Sequence, residues 1–243
     1  MTIDLKTPTR WQDLTAEQLR FVVATGTQGL RREEFLVVLF CHFAEVKMLA
    51  GTAKENDKMV VCTRFKDKDG HVFELEEWQV SDFCGRLSAF FDERIPIDVV
   101  WPFRWDRYLL DTTFGNWFHA DALMLRFALE GNPEHLKSAL KDFGEEREPD
   151  NTDMVLLIRW YEAFKDWLQN RYPLVFQKAE PGMASPSSPI DTRQNILLML
   201  NENRPQDNEQ IERSNMHDVL AALQHKIEQA NQAAEYLQQI KPQ

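Results

Sequence analysis

Cysteine and histidine are the residues of this sequence best suited to binding metals or to nucleophilic chemistry. Cys41 and His42 are adjacent, whereas Cys62 and Cys84 follow at long intervals. Structural zinc sites usually take paired cysteines at short spacing, because one turn must offer two thiolates to a single tetrahedral ion. Since that spacing is absent, we expect no metal and no disulfide, and we predict three free, buried thiols in a reducing compartment.

Acidic residues near His119 form the next candidate chemical group. His119 and Asp121 are two positions apart, and side chains at i and i+2 of a helix do not face each other. A general base needs hydrogen-bond reach to its orienting group, so this pair is better explained as a helix-surface histidine and its neighbour. Asp106 and Asp111 also lie near aromatic residues, and helix caps or surface charges account for them.

Local catalytic signatures are missing from the chain. The sequence contains no GxGxxG, no phosphate-binding P-loop, no GxSxG and no HExxH. We therefore predict a protein that is not an enzyme, with no catalytic residues, no cofactor and no metal. An enzyme whose site is assembled from scattered residues remains an alternative, because many catalytic sets leave no local motif.

A dense run of aromatic residues could contact a base, a sugar or another protein. The run comprises Trp101, Phe103, Trp105, Tyr108, Phe114, Trp117 and Phe118. Because no cluster of Lys or Arg accompanies it, core packing is the favoured interpretation over base stacking. A protein-binding patch is the alternative, since Trp, Tyr and Arg are enriched at interaction hot spots. Its candidate partner-binding residues are Arg104, Arg107 and Tyr108.

The elements that must position these residues are mainly helical in the first half of the chain. Thr15 and Gln18 form a capping-box pattern that predicts a helix start. Apolar spacing predicts further helices over 31–49 and over 76–91, the latter with Trp78 among its buried positions. Between them, β-prone segments flank a charged turn and predict a β-hairpin near 59–75 that lies on the helices.

The second half of the chain predicts more helices, followed by a change of composition. The helices are expected over 114–129, 133–143 and 153–171. A Pro- and Ser-rich stretch at 178–189 has linker composition. We therefore predict a mainly α fold: a helical domain with a β-hairpin insertion over 1–177, the linker, and a small C-terminal helical module over 190–243.

The C-terminal helix predicted over 216–240 carries the clearest pattern in the chain. Its apolar residues alternate at spacings of four and three, which is a heptad seam: Met216, Leu220, Leu223, Ile227, Ala230, Ala234 and Leu237. Packing along its own domain is one interpretation, and association with a partner helix is the other. In the second, Leu220, Leu223, Ile227 and Leu237 bind the partner. Aspartates at 223 and 227 would then weaken association and leave the main unfolding transition unchanged.

Composition and charge exclude several classes of partner. The 243 residues carry a formal net charge of −11, with 39 acidic and 28 basic residues. Nucleic acid and anionic membranes attract clustered Lys and Arg, so neither is an expected partner. The N-terminal sequence lacks the basic and apolar regions of a signal peptide, and no apolar run is long enough to cross a bilayer. These features favour a soluble cytoplasmic protein.

The order of these parts resembles a group of phage proteins. A helical domain carries a hairpin after its second helix, and the segment RYPLVF at 171–176 leads into the linker. A helical tail then includes MHDVLAAL at 216–223. This order is similar to that of small proteins encoded among the tail and morphogenesis genes of tailed phages and prophages, some of which are tail assembly chaperones. The resemblance carries no site residues with it.

These observations favour a non-enzymatic, phage-type assembly factor or structural component. Its expected partner is a protein, such as a phage tail or structural protein, held through the C-terminal helix and the aromatic surface. A homo-oligomer through the same helix is an alternative. A cellular helical adaptor or regulator is the second class of function. The expected location is the cytoplasm, which is that of the host cell if a phage encodes the protein, with the virion as an alternative.

Overall fold

The computed structural model describes residues 7–52, 62–103, 105, 110–143, 148–176, 189–201 and 204–240. Side chains at 50–52, 189–191 and 237–240 lie outside this description. Residue contacts divide the chain into two compact units, Met1–Pro102 and Phe103–Gln243. Helices dominate and one small antiparallel sheet is present, so the predicted mainly α fold class is confirmed.

The first unit begins with a short 3-10 turn and two helices. The turn spans Trp11–Asp13, α1 spans Ala16–Gly26 and α2 spans Arg32–Phe43. The predicted capping box is present, because the Thr15 hydroxyl accepts from the Gln18 amide while the Gln18 side chain accepts from the Thr15 amide.

Three antiparallel strands follow in the order β1–β2–β3: β1 spans Lys47–Thr52, β2 Cys62–Lys66 and β3 Val72–Glu76. The β2–β3 hairpin agrees with the predicted one, although 59–61 fall outside the described residues. The predicted helix over 31–49 is wrong at its end. Glu45 takes a positive φ of 53°, which ends the helical path, and the next residues pair with β2.

Two helices complete the first unit, with α3 at Glu77–Arg86 and α4 at Ala89–Asp92. Phe40 of α2 contacts the ring of Phe65 in β2 and the ring of Phe83 in α3, with centroids 5.5 and 5.1 Å apart. The hairpin therefore lies on the helices, as predicted. Trp78 is not buried as predicted: it is 65% exposed, and its indole N–H donates to Glu76.

Three consecutive helices of the second unit pack around an aromatic core. These are α5 at Phe114–Glu130, α6 at Pro133–Asp142 and α7 at Asn151–Arg171. Gly131, with φ 66°, ends α5 in the left-handed region that glycine tolerates. Trp160 of α7 lies in the centre of the core, with its ring centroid 5.1 Å from Trp105 and 5.0 Å from Phe143.

The C-terminal helices belong to the same unit. α8 spans Pro189–Leu200, a 3-10 turn spans Pro205–Asp207, α9 spans Asn208–Arg213 and α10 spans Met216–Ile240. The amide of Phe114 donates to the carbonyl of Ser214 at 2.9 Å, and the amide of Met216 donates to the carbonyl of Thr112 at 2.9 Å.

These backbone bonds place the C-terminal helices in one unit with α5. Residue contacts place the boundary between the two units at Pro102 and Phe103, whereas the sequence predicts a division into 1–177 and 190–243. Residues 178–188 of the predicted linker lie outside the described residues, and its last residue, Pro189, begins α8.

Candidate functional site

The first half of α10 is part of the core of the second unit. Met216 and Leu220 are fully buried, and Leu223 is 2% exposed. α10 packs against α5 and α8 of the same unit. Two of the four predicted partner-binding residues of this helix, Leu220 and Leu223, are therefore covered by their own unit. For them, packing within the chain is the correct interpretation.

The second half of α10 has a different environment. Ile227 is half-buried, and every residue from Glu228 to Tyr236 is exposed, including Ala230 and Ala234 of the heptad seam. The side chain of Leu237 lies outside the described part of the chain. The seam is thus continuous in sequence, but its own unit covers the first half and leaves Ala230 and Ala234 exposed.

The predicted aromatic surface is largely core. Trp105 is 1% exposed, Phe114 is fully buried and Trp117 is 5% exposed, which confirms core packing for these members of the run. Arg104, Arg107 and Tyr108, which the sequence marked as partner-binding residues, lie outside the described residues. Their role stays a prediction.

A cleft of about 580 Å³ lies within the second unit between α5, α8 and α9. Its apolar lining comes from Phe118 and Ala122 of α5 and Leu197 of α8. Gly115 permits the close approach of α9, because a Cβ at this position would lie 3.2 Å from the carbonyl oxygen of Glu212. No local sequence signal predicts this cleft, since its walls come from segments about eighty residues apart in the chain.

The polar side chains of the cleft differ in whether they already form ion pairs or hydrogen bonds. Arg193 forms an ion pair with Glu212 across α8 and α9. His119 Nδ1 lies 2.7 Å from Asp142 Oδ2. Arg126, which is exposed, forms no ion pair with any residue of the described ranges. Among its described lining residues, the cleft therefore offers one guanidinium group that no carboxylate opposes.

His119 and Asp121 do not form the pair that their spacing could suggest, in agreement with the sequence analysis. Asp121 instead accepts from the Tyr161 hydroxyl, and Lys165 Nζ lies 3.3 Å from the same carboxylate. Asp111 is exposed, and Asp106 lies outside the described residues. The carboxylates near the aromatic run thus do not converge in the part of the chain that can be described.

Cys41, Cys62 and Cys84 take part in no disulfide, and each is half-buried. Burial raises the pKa of the Cys41 thiol and of the Cys84 thiol. A raised pKa keeps these groups protonated and slow to react as nucleophiles.

The turn between β2 and β3 carries a group of side chains that could bind a metal, which its sequence alone does not indicate. Asp67, Asp69 and His71 at the tip of the β2–β3 hairpin bring their ligand atoms within 4.8 Å of one another. The backbone amide of His71 donates to Asp67 Oδ1 at 2.8 Å, and its Nδ1 lies 3.1 Å from Asp67 Oδ2. Hydrogen bonds within the turn therefore account for this arrangement.

Comparisons with known proteins give no relative for this chain. No family model matches it, and no curated protein and no solved structure matches it. Within the described ranges, no helix combines the length and the apolar content needed to cross a membrane. The resemblance to phage tail proteins therefore stays a prediction, and the geometry of the second unit is the basis for any functional conclusion.

Proposed function

We propose that this protein is a non-enzymatic, phage-type assembly factor or structural component that binds a structural protein through the second half of α10. One observation carries the proposal. The helix is anchored in the core by Met216, Leu220 and Leu223, whereas the residues from Glu228 to Tyr236 are all exposed.

An anchored helix end is well suited to docking. Helix initiation is the unfavourable step, and the buried first half of α10 already supplies it. The exposed half is rich in Ala, Gln and Glu, which favour the helical state. The described exposed residues run from Glu228 to Tyr236, a length of about 14 Å at 1.5 Å per residue. A partner therefore meets a preformed helix and loses little conformational entropy on ordering it.

The seam of this exposed half is narrow. Ala230 and Ala234 are small and permit a close approach of another backbone, with Ile227 and Leu237 on either side. Few apolar atoms are buried in such a contact, so the affinity expected from burial is modest. A modest affinity suits a factor that releases its partner during assembly.

A cellular helical adaptor or regulator is the alternative function, and it would use the same helix. The identity of the bound protein distinguishes the two classes.

The experiment is affinity capture of the tagged, full-length protein from its native cell, with identification of the captured proteins. The wild type is expected to retain a structural protein of the particle under assembly. Replacing Ala230 and Ala234 together with Asp places two charges in the seam, and we expect this variant to lose that protein.

The matched control replaces Gln229 and Gln232 with Asp. Both residues are exposed on the same stretch of α10 but lie away from the seam, and the net charge changes by the same amount. The control is expected to retain the partner. Equal capture by the seam variant and the control would overturn the proposal, as would a wild type that retains no protein.

A further inference from the structure

The cleft between α5, α8 and α9 has the size and surface of a ligand site. Its volume of about 580 Å³ is within the range of small-molecule pockets, roughly 300–1,000 Å³. Phe118, Ala122 and Leu197 give it an apolar floor. Because Phe118 and Leu197 are only 8% and 7% exposed, this floor is part of the packed core and is preformed.

The rim of the cleft is suited to an anion. Arg126 follows Phe118 and Ala122 along the same face of α5 at intervals of four residues. Across the described ranges it meets no carboxylate, whereas the neighbouring Arg193 is neutralised by Glu212. A guanidinium at the edge of an apolar surface binds carboxylates through paired N–H donors.

Two amide side chains add hydrogen-bond donors to the same rim. Asn208 Oδ1 accepts from Asn201 Nδ2 at 2.6 Å, which leaves the Asn208 amino group as its donor. Gln194 of α8 contributes a second amide to the lining. The polar part of the cleft therefore combines one uncompensated positive charge with neutral donors, a set that matches a single negative charge.

We propose that this cleft binds an amphipathic monoanion, in which a carboxylate contacts Arg126 and an apolar body covers Phe118, Ala122 and Leu197. The site is separate from the exposed half of α10, and the proposal does not depend on the proposed function. Among the described lining residues one guanidinium is uncompensated, so a ligand with several phosphates is not accommodated equally well.

The test uses two probes and the full-length protein. Anilinonaphthalenesulfonate, an aromatic monoanion that fluoresces in apolar sites, reports binding, and decanoate competes for the cleft. Decyltrimethylammonium has the same chain with a positive head group and serves as the control competitor. We expect decanoate to displace the dye and the cationic control to leave it bound.

Two variants and one matched control connect the signal to the cleft. Arg126→Glu reverses the charge at the rim and is expected to weaken decanoate binding about ten-fold, since a charge-assisted pair becomes a repulsive one. Ala122→Phe fills the floor and is expected to abolish dye binding. Arg159→Glu changes the net charge equally on an exposed position of α7 outside the lining, and is expected to bind as the wild type does.

Circular dichroism and thermal unfolding confirm that each variant is folded, and Arg126 is exposed, so its replacement leaves the core intact. Three results would overturn the proposal: no dye binding to the wild type, equal binding by Arg126→Glu and Arg159→Glu, or equal competition by decanoate and the cation. Loss of binding in Ala122→Phe alone would also contradict the assigned role of Arg126.

Discussion

Leucine-to-alanine substitution at position 223 tests whether the first half of α10 belongs to the core. Leu223 is 2% exposed, so the substitution removes buried methyl groups and leaves a cavity where α10 meets its neighbours. Such changes typically cost 2–5 kcal/mol, and we expect the free energy of unfolding to fall by about 3 kcal/mol. For a unit of this size, the melting temperature should fall by about 10 °C.

The same helix supplies the comparison. Ile227 is half-buried, and Ile227→Ala should cost about 1–1.5 kcal/mol because fewer contacts are lost. Ala234 is exposed, and Ala234→Ser should change stability by less than about 0.5 kcal/mol. Urea unfolding followed by circular dichroism measures all three. Equal stability losses at 223 and 234, or a loss below 0.5 kcal/mol at 223, would refute this account of α10.

Three further outcomes follow from other parts of the structure. Burial raises the pKa of Cys41 and Cys84, so both thiols should react slowly with Ellman's reagent until urea unfolds the chain. For the same reason, the free energy of unfolding should fall as the pH rises from about 9, the ordinary pKa of a thiol, through the raised pKa of the folded state. Gly131→Ala should lower stability by about 1 kcal/mol in thermal unfolding, because φ is 66° at this helix end. Tyr161→Phe removes the donor to Asp121 and should cost about 1.5 kcal/mol in urea unfolding.

Elements with local signals could be predicted from the sequence. The capping box at Thr15 and the helix end at Gly131 depend on hydrogen bonds and backbone angles within a few residues, so the local sequence indicates both directly. The start of α10 at Met216 was likewise predicted, because its apolar period continues without interruption.

Strand β1 could not be predicted in the same way. Val46 and Leu49 continue the apolar spacing of α2, and only pairing with the distant β2 makes 47–49 a strand. The turn that separates them depends on Glu45 in a positive-φ conformation, which sequence does not favour for this residue type.

Burial at the candidate partner-binding residues of α10 likewise depends on distant parts of the chain. A heptad pattern predicts that a stripe is apolar, but it does not say which surface covers it. Leu220 and Leu223 are covered by their own unit, and the alanines further along α10 are not. The heptad pattern is compatible with both packing and association along its whole length, whereas the structure has a core segment followed by an exposed one. The aspartate at 223 proposed to weaken association is now expected to unfold the core.

The most direct test of the central claim is photo-cross-linking from the exposed half of α10 in the native cell. A benzophenone amino acid replaces Ala234 of the seam in one variant and Gln232, on the opposite face, in another. The account predicts a cross-linked product containing a second, structural protein from position 234 and none from position 232. No product from 234, or equal products from both positions, would contradict docking through this helix.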